Sequence, residues 1–241
     1  MLAKPHRGER SWSHEVRFVG IGVGATGLEF TVSPSAHGNR LCPEPLGENV
    51  APLTMAKALI IVDVQPTFCE GGSLAVEGGN RVATDIANLI RGNHGYALIV
   101  TTQDWHIDPG DHFAEDPDFV NSWPPHGVAG SPEAALHPEL LKVAHRIDQE
   151  VRKGQYAAAY SGFEGDTDDG TPLVTVLRNA EVTYVDVVGL AFDHCVRATA
   201  LDAIREGLAT QVLVNLTASV ANNTALSARR ELQEAGVVLE D

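Results

Sequence analysis

The sequence predicts a doubly wound α/β fold, a mainly parallel sheet flanked by helices on both faces. Three observations lead there. Val, Ile and Leu runs too continuous for a half-solvated strand recur along the chain, and amphipathic stretches with helical spacing separate them. With 241 residues, 44% of them hydrophobic and 20% charged, one or two soluble domains have enough apolar mass to cover such a sheet. Strands buried on both faces read as unbroken apolar runs, and their alternation with helices makes the sheet parallel.

Taken in order, ALIIVDV (58–64) reads as the first strand, NRVATDIANLIRG (80–92) as a helix and YALIVTTQD (96–104) as the second strand. From Asp104 to about residue 172 the alternation fades into a Pro-, Gly- and His-rich stretch, and long irregular segments in a folded domain carry function or disorder. VTYVDVVGL (182–190) then precedes the helix pattern DHCVRATALDAIREG (193–207). ATQVLVNL (209–216) precedes NNTALSARRELQEAG (222–236), and VVLE (237–240) closes the chain.

Residues 1–54 mix Gly, Pro and polar residues, with short strand-like patterns only in VRFVGIGVG and LEFTVS, and read as a poorly ordered N-terminal extension. At MAKALIIVDVQ the character changes abruptly, so residues 55–241 are expected to form the domain and Met55 is a candidate physiological first residue. The extension holds five basic and five acidic residues, which leaves the formal net charge of −15 on the remainder. A domain so acidic repels nucleic acid and anionic membrane and suits a neutral small molecule. Three cysteines, Cys42, Cys69 and Cys195, form no CxxC pair, and a reducing cytosol suits them better than a disulfide framework. No apolar run reaches the roughly 20 residues of a membrane span, and the N-terminus lacks a secretory h-region. A cytoplasmic location is expected.

In open parallel sheets ligands bind beyond the carboxyl ends of the strands. That rule selects Asp63, Asp104 and the GLAFDHC turn (189–195). Downstream of Asp104, the segment DWHIDPGDHFAEDPDFVNSWPPH supplies His106, His112 and His126. Three imidazoles and one carboxylate are enough ligands for one Zn, Fe or Mn ion with positions left for water or substrate. His94, His137 and His145 lack such company and read as ordinary surface or helix-end residues.

Cys195 falls in the first turn of the expected helix, where free N–H groups and the helix dipole favour a thiolate. The N–H groups of Ala191 and Cys195 can also receive an oxyanion. Asp63 is costly to bury unpaired, which makes it a site candidate. Lys153, beside a glycine turn, is weak alone. With Asp63 and Cys195 it completes a base, a cation and a nucleophile. Cys69 has no evident activator and reads as structural.

At these residues the chain resembles the nicotinamidase/pyrazinamidase family of isochorismatase-like cysteine hydrolases. The likeness runs from Met55 nearly to the C-terminus through ALIIVDVQ, FCEGGSLAV, HIDPGDHF, SWPPH, YSGFEG, GTPL, VDVVG, DHCVR and GLAT. It implies Asp63, Lys153 and Cys195 as a catalytic triad, and Asp104, His106, His112 and His126 as ligands of a divalent metal. It also implies a cis peptide at Leu190–Ala191, and Phe68, Trp123 and Tyr160 as walls of a nicotinamide pocket. The implied reaction is hydrolysis of nicotinamide to nicotinate and ammonia in NAD salvage, with pyrazinamide as a second substrate. Amidases of carbamoyl or maleamate substrates share the triad without needing the metal loop, and a silent metal-binding protein would lack the nucleophile or base. Two departures stand out. After DVQ the family continues with Asn and an acidic residue thought to hold a metal-ligand loop, whereas Pro66 and Thr67 stand here, and the 54-residue extension has no counterpart.

Overall fold

The computed structural model describes residues 56–241. The expected extension 1–54, Met55 and Cys42 lie outside the described residues.

The apolar runs form the strands they suggest. β1 (Ala56–Val62), β2 (Leu98–Asp104), β5 (Val182–Leu190), β6 (Ala209–Ala218) and β7 (Val238–Glu240) pair in parallel, and helices α1 (Gly79–Arg91), α4 (Arg197–Arg205) and α5 (Asn222–Glu234) lie between them in sequence. With β3 (Gln149–Lys153) and β4 (Asp166–Thr167), the seven-stranded sheet has the order β4-β3-β2-β1-β5-β6-β7. Successive side chains of a strand point to opposite faces, and both faces of β1 are apolar. Ala58, Ile60 and Val62 pack with Val187, Leu173, Leu177, Ala200 and Leu232 on one side. Leu59 and Ile61 pack with Val82, Ile86, Ile90 and Leu140 on the other. The double covering expected from the sequence is therefore present.

The irregular stretch after Asp104 holds more order than its composition suggests. It contains the short helix α2 (Pro138–Leu141), strand β3 (Gln149–Lys153), which runs parallel to β2, and the two-residue strand β4 (Asp166–Thr167), antiparallel to β3. Helix α3 (Leu173–Asn179) follows. In β3 only Val151 is apolar, so the strand carries no run to detect. Its ladder partner β2 defines it instead.

The expected helix from residue 193 also differs. Phe192–Val196 is a π-turn, closed by Val196 N–H on Ala191 C=O at 3.1 Å, and regular α-helix begins only at Arg197. Cys195 thus stands in a wide turn ahead of α4. Such single π-turns recur at functional sites. Among the described residues no helix is long and apolar enough to cross a membrane.

Candidate active site

Four neighbouring strands deliver one charged or nucleophilic side chain each to the carboxyl edge of the sheet. Lys153 ends β3, Asp104 ends β2, Asp63 directly follows β1, and the turn after β5 carries Cys195. The parallel register sets Asp104 opposite Lys153 and Val62 opposite Gly189, so the four groups form a row.

Lys153 is the hub. Its Nζ lies 2.5 Å from Asp104 Oδ1, 3.0 Å from Asp63 Oδ2 and 3.7 Å from Cys195 Sγ, and it donates to the Ala159 carbonyl at 3.0 Å. The ammonium is fully buried. Burial alone works to discharge it, but the two carboxylates and the sulfur together hold its pKa well above the usual lysine value. Asp104 is held well below the usual carboxylate range. Burial, the largest single influence, pushes its pKa up, and the Lys153 ammonium beside it outweighs that.

Asp63 moves the other way. Burial raises its pKa, with the Asp104 charge adding to the rise, and Lys153 and Thr102 offset only part. A carboxyl poised upward can accept and return a proton at neutral pH. Its backbone takes the left-handed value φ 48°, rare for a residue with a side chain. Thr102 holds it there: the Asp63 N–H donates to the Thr102 carbonyl at 3.1 Å, and the Thr102 hydroxyl donates to Oδ1 at 2.6 Å. Oδ2 has no hydrogen bond of good geometry, and it is the oxygen that lies beside Lys153.

The sequence suggests a thiolate, yet the structure favours a resting thiol. Burial drives the Cys195 pKa well above its ordinary value, Lys153 opposes this, and the Asp63 and Asp104 charges reinforce it. The reason is local. The cation that would favour the thiolate is already shared between two carboxylates.

His106, His112 and His126 converge, with candidate ligand atoms all within 4.8 Å of one another. Asp104 flanks them through Oδ2, 3.6 Å from His106 Nε2 and 3.7 Å from His126 Nε2. These distances are too long for hydrogen bonds and of the size that separates two donors sharing one ion about 2 Å from each. His106 Nδ1 donates to the Gly154 carbonyl at 2.5 Å and His126 Nδ1 to the Pro124 carbonyl at 2.8 Å, which fixes the tautomers and leaves both Nε2 lone pairs free. A Cβ on Gly154 would sit 2.5 Å from the His106 ring, so only glycine permits this approach. His106 Nε2 and His112 Nδ1 are buried without a hydrogen-bond partner. Burial also lowers the His126 pKa to about 4, keeping the imidazole neutral, the form that binds metals. The residues present fit a divalent cation. Asp104, expected purely as a ligand, divides its oxygens between this cluster and Lys153.

Beside the row opens a small cavity, lined by Phe68, Trp123, Tyr160, His194, Ala191 and Cys195. Trp123 Nε1 donates to the Tyr160 hydroxyl at 3.0 Å, and the His194 ring packs edge-on to Trp123 with centroids 5.5 Å apart. The Leu190–Ala191 peptide is cis, where the resemblance implies one. Cys69 is buried away from Lys153's contacts with its pKa pushed up to about 12, first by burial and then by Glu70, which fits an inert thiol. Of the remaining histidines, His137 accepts the Glu139 N–H at the start of α2 and His94 accepts the Tyr96 N–H, outside the cluster.

Sequence reasoning missed several participants. Thr102 buttresses Asp63. Gln65 clamps the Asp104 backbone, accepting its N–H at 2.9 Å and donating to its carbonyl at 3.0 Å. His194 lines the pocket, and its position next to Cys195 was the available signal. Glu164 accepts the Tyr160 and Ser161 N–H groups, both at 2.8 Å, and so sets the Tyr160 loop.

The Isochorismatase domain family matches residues 57–241. The chain is 54% identical to the nicotinamidase/pyrazinamidase of Mycobacterium tuberculosis over 183 residues, covering 76% of this chain and 97% of that protein. The crystal structure of PnC1 from L. infantum in complex with nicotinate superposes with a TM-score of 0.67 and 36% identity, covering 77% of this chain and 92% of that one. The pyrazinamidase of Pyrococcus horikoshii in complex with zinc gives a TM-score of 0.62 and 32% identity, covering 76% and 97%. The chain belongs to the nicotinamidase/pyrazinamidase branch of the isochorismatase family.

Proposed function

We propose that the chain is a cysteine amidohydrolase that converts nicotinamide and water to nicotinate and ammonia, and pyrazinamide to pyrazinoate in the same way. The carrying observation is the buried Lys153 ammonium, which joins Asp63, Asp104 and Cys195 at the wall of a small aromatic cavity. The named activities of the relatives and the nicotinate bound by one structural neighbour support the same substrate class.

In this reading Asp63 takes the Cys195 S–H proton as the sulfur attacks the carboxamide carbon, while Lys153 steadies the negative charge the pair shares. Backbone N–H groups of Ala191 and Cys195 receive the oxyanion, and loss of one such donor costs about 3 kcal/mol in the barrier. The nitrogen takes the proton from Asp63 as the C–N bond breaks, and ammonia leaves a thioester on Cys195. Water then gives a proton to Asp63 and attacks the thioester carbon, and the C–S bond breaks as the sulfur regains its proton. Phe68, Trp123 and Tyr160 hold the ring and exclude water. His106, His112 and His126 with Asp104 would hold a Zn, Fe or Mn ion, which supplies a Lewis-acidic anchor for the ring nitrogen, directly or through water. The remaining parts of the proposal are a 55–241 catalytic domain preceded by an extension, a cytoplasmic setting, a place in NAD salvage, and no nucleic-acid or membrane partner for so acidic a chain.

The experiment is ammonia release from nicotinamide by purified native protein, Cys195→Ala and His106→Ala. Release by the native chain and its loss in both variants are expected. A native chain that releases none rejects the substrate, and a fully active Cys195→Ala rejects the nucleophile.

A further inference from the structure

Thr67, where the resemblance would place an acidic residue, is fully buried in the short 3-10 turn Pro66–Phe68. Its Oγ1 accepts the Gly127 N–H at 3.2 Å and lies 2.9 Å from Ser73 Oγ. The amide and the Ser73 hydroxyl thus hold the Thr67 oxygen from two sides.

Gly127 is the node of the imidazole cluster. It follows His126 in the chain, and its carbonyl accepts the His106 N–H at 2.9 Å. Its backbone has φ +52°, and a Cβ there would lie 2.8 Å from the Asp104 Cβ. The residue is therefore covalently bound to one candidate ligand, hydrogen-bonded to a second and packed on a third. Thr67 is its N–H partner from outside the loop.

We propose that the Thr67 hydroxyl is the positioning residue that anchors the His126 arm of the metal loop, doing with a neutral group what the resemblance assigns to a carboxylate. The charge at this level of the fold stands further out, on Glu133, whose Oε2 accepts the Ser73 N–H at 3.3 Å near the surface. The loop is thus held through a short hydroxyl chain, Gly127 to Thr67 to Ser73. This inference rests on reading the imidazole cluster as a metal site.

The test is zinc titration of the full-length, metal-free protein against a chromophoric chelator, with melting of the metal-free forms as a folding control. Thr67→Val keeps the shape and removes the hydroxyl. It should weaken zinc binding about tenfold or more, the range usual for groups that orient metal ligands. Thr67→Ser should stay within about twofold of native, and Ser73→Ala should weaken binding by a smaller factor, about threefold, because the Thr67 hydroxyl loses its side-chain partner. Thr67→Val binding zinc as tightly as the native chain overturns the proposal, and so does a Thr67→Ser variant as weak as Thr67→Val. If Thr67→Val does not fold, Ser73→Ala decides, and unchanged zinc affinity there overturns the proposal. A native chain that binds zinc no better than His126→Ala removes the metal reading itself and this inference with it, while ammonia release reports on the proposed reaction separately.

Discussion

Two lysine–aspartate pairs lie along the same sheet, and they have different uses. At the carboxyl edge Lys153 meets Asp63 and Asp104 beside a thiol. On the α1 face, toward the start of β1, Lys57 lies 2.6 Å from Asp186, which also accepts the Tyr96 hydroxyl at 2.5 Å. Each pair leaves one carboxylate oxygen, Asp63 Oδ2 or Asp186 Oδ1, without a hydrogen bond. An unsatisfied buried oxygen is therefore not enough to mark a site. Lys57 is 36% exposed and lies over the Tyr96 and Tyr184 rings, so its charge is dispersed to solvent and π-faces. Lys153 is sealed in, and Asp104, Ala159 and Cys195, which it contacts, line the cavity. The enclosed cation beside a nucleophile and an open pocket separates chemistry from scaffolding.

The sharpest way to break this contrast is to remove one acid from each pair. Asp63→Asn should lower ammonia release from nicotinamide by about 10³-fold or more, as loss of a proton-transfer group does, whereas Asp186→Asn should leave turnover within about twofold. Steady-state assays on the two proteins decide, and equal losses would dissolve the distinction. Removing the cations comes next. Lys153→Met strands two buried carboxylates and should cost about 3–5 kcal/mol in urea unfolding, against about 1 kcal/mol for the half-solvated Lys57→Met.

These pairs also show what the sequence could disclose. Asp63 is visible because a lone acid interrupts the apolar run of β1, and Asp104 because it ends another. Lys153 is nearly invisible, since β3 reads QEVRK with one apolar residue, and the ammonium's burial depends on carboxylates supplied by β1 and β2. The strands with strong runs and helices α1 and α5 follow from local pattern alone. The short helices α2 and α3 do not, because their stability comes from packing against the rest of the molecule. The π-turn at Phe192–Val196 carries helical composition, so residue type could not separate it from α4. Thr102 and Gln65 act through hydrogen bonds spanning 39 residues of sequence, beyond the reach of any local rule.

A finer test of the carboxyl-edge cluster is Thr102→Val, which removes the 2.6 Å hydrogen bond to Asp63 Oδ1. It should lower kcat about tenfold with KM little changed, and Thr102→Ser should restore it. The smallest effect concerns a carboxylate with partners and no pocket. Glu70 accepts the Gly78 and Asn80 N–H groups at 2.7 and 2.8 Å, at the start of α1. These backbone bonds, Asn80's foremost, hold its pKa below the usual value of 4.5. A depressed carboxyl stabilises the fold fully above that usual value, and the contribution is lost as pH falls through the lower folded value. Glu70→Gln should therefore cost about 0.5 kcal/mol at neutral pH, and melting curves should show the gap closing in acid.

The most direct measurement is acid quenching of the native enzyme during nicotinamide turnover, followed by peptide mass mapping. A nicotinoyl thioester on the peptide carrying Cys195, absent from Cys195→Ala, is the expected result. An acyl group on Cys69 instead, or turnover that persists in Cys195→Ala, would contradict the assignment of the sulfur beside Lys153 as the nucleophile.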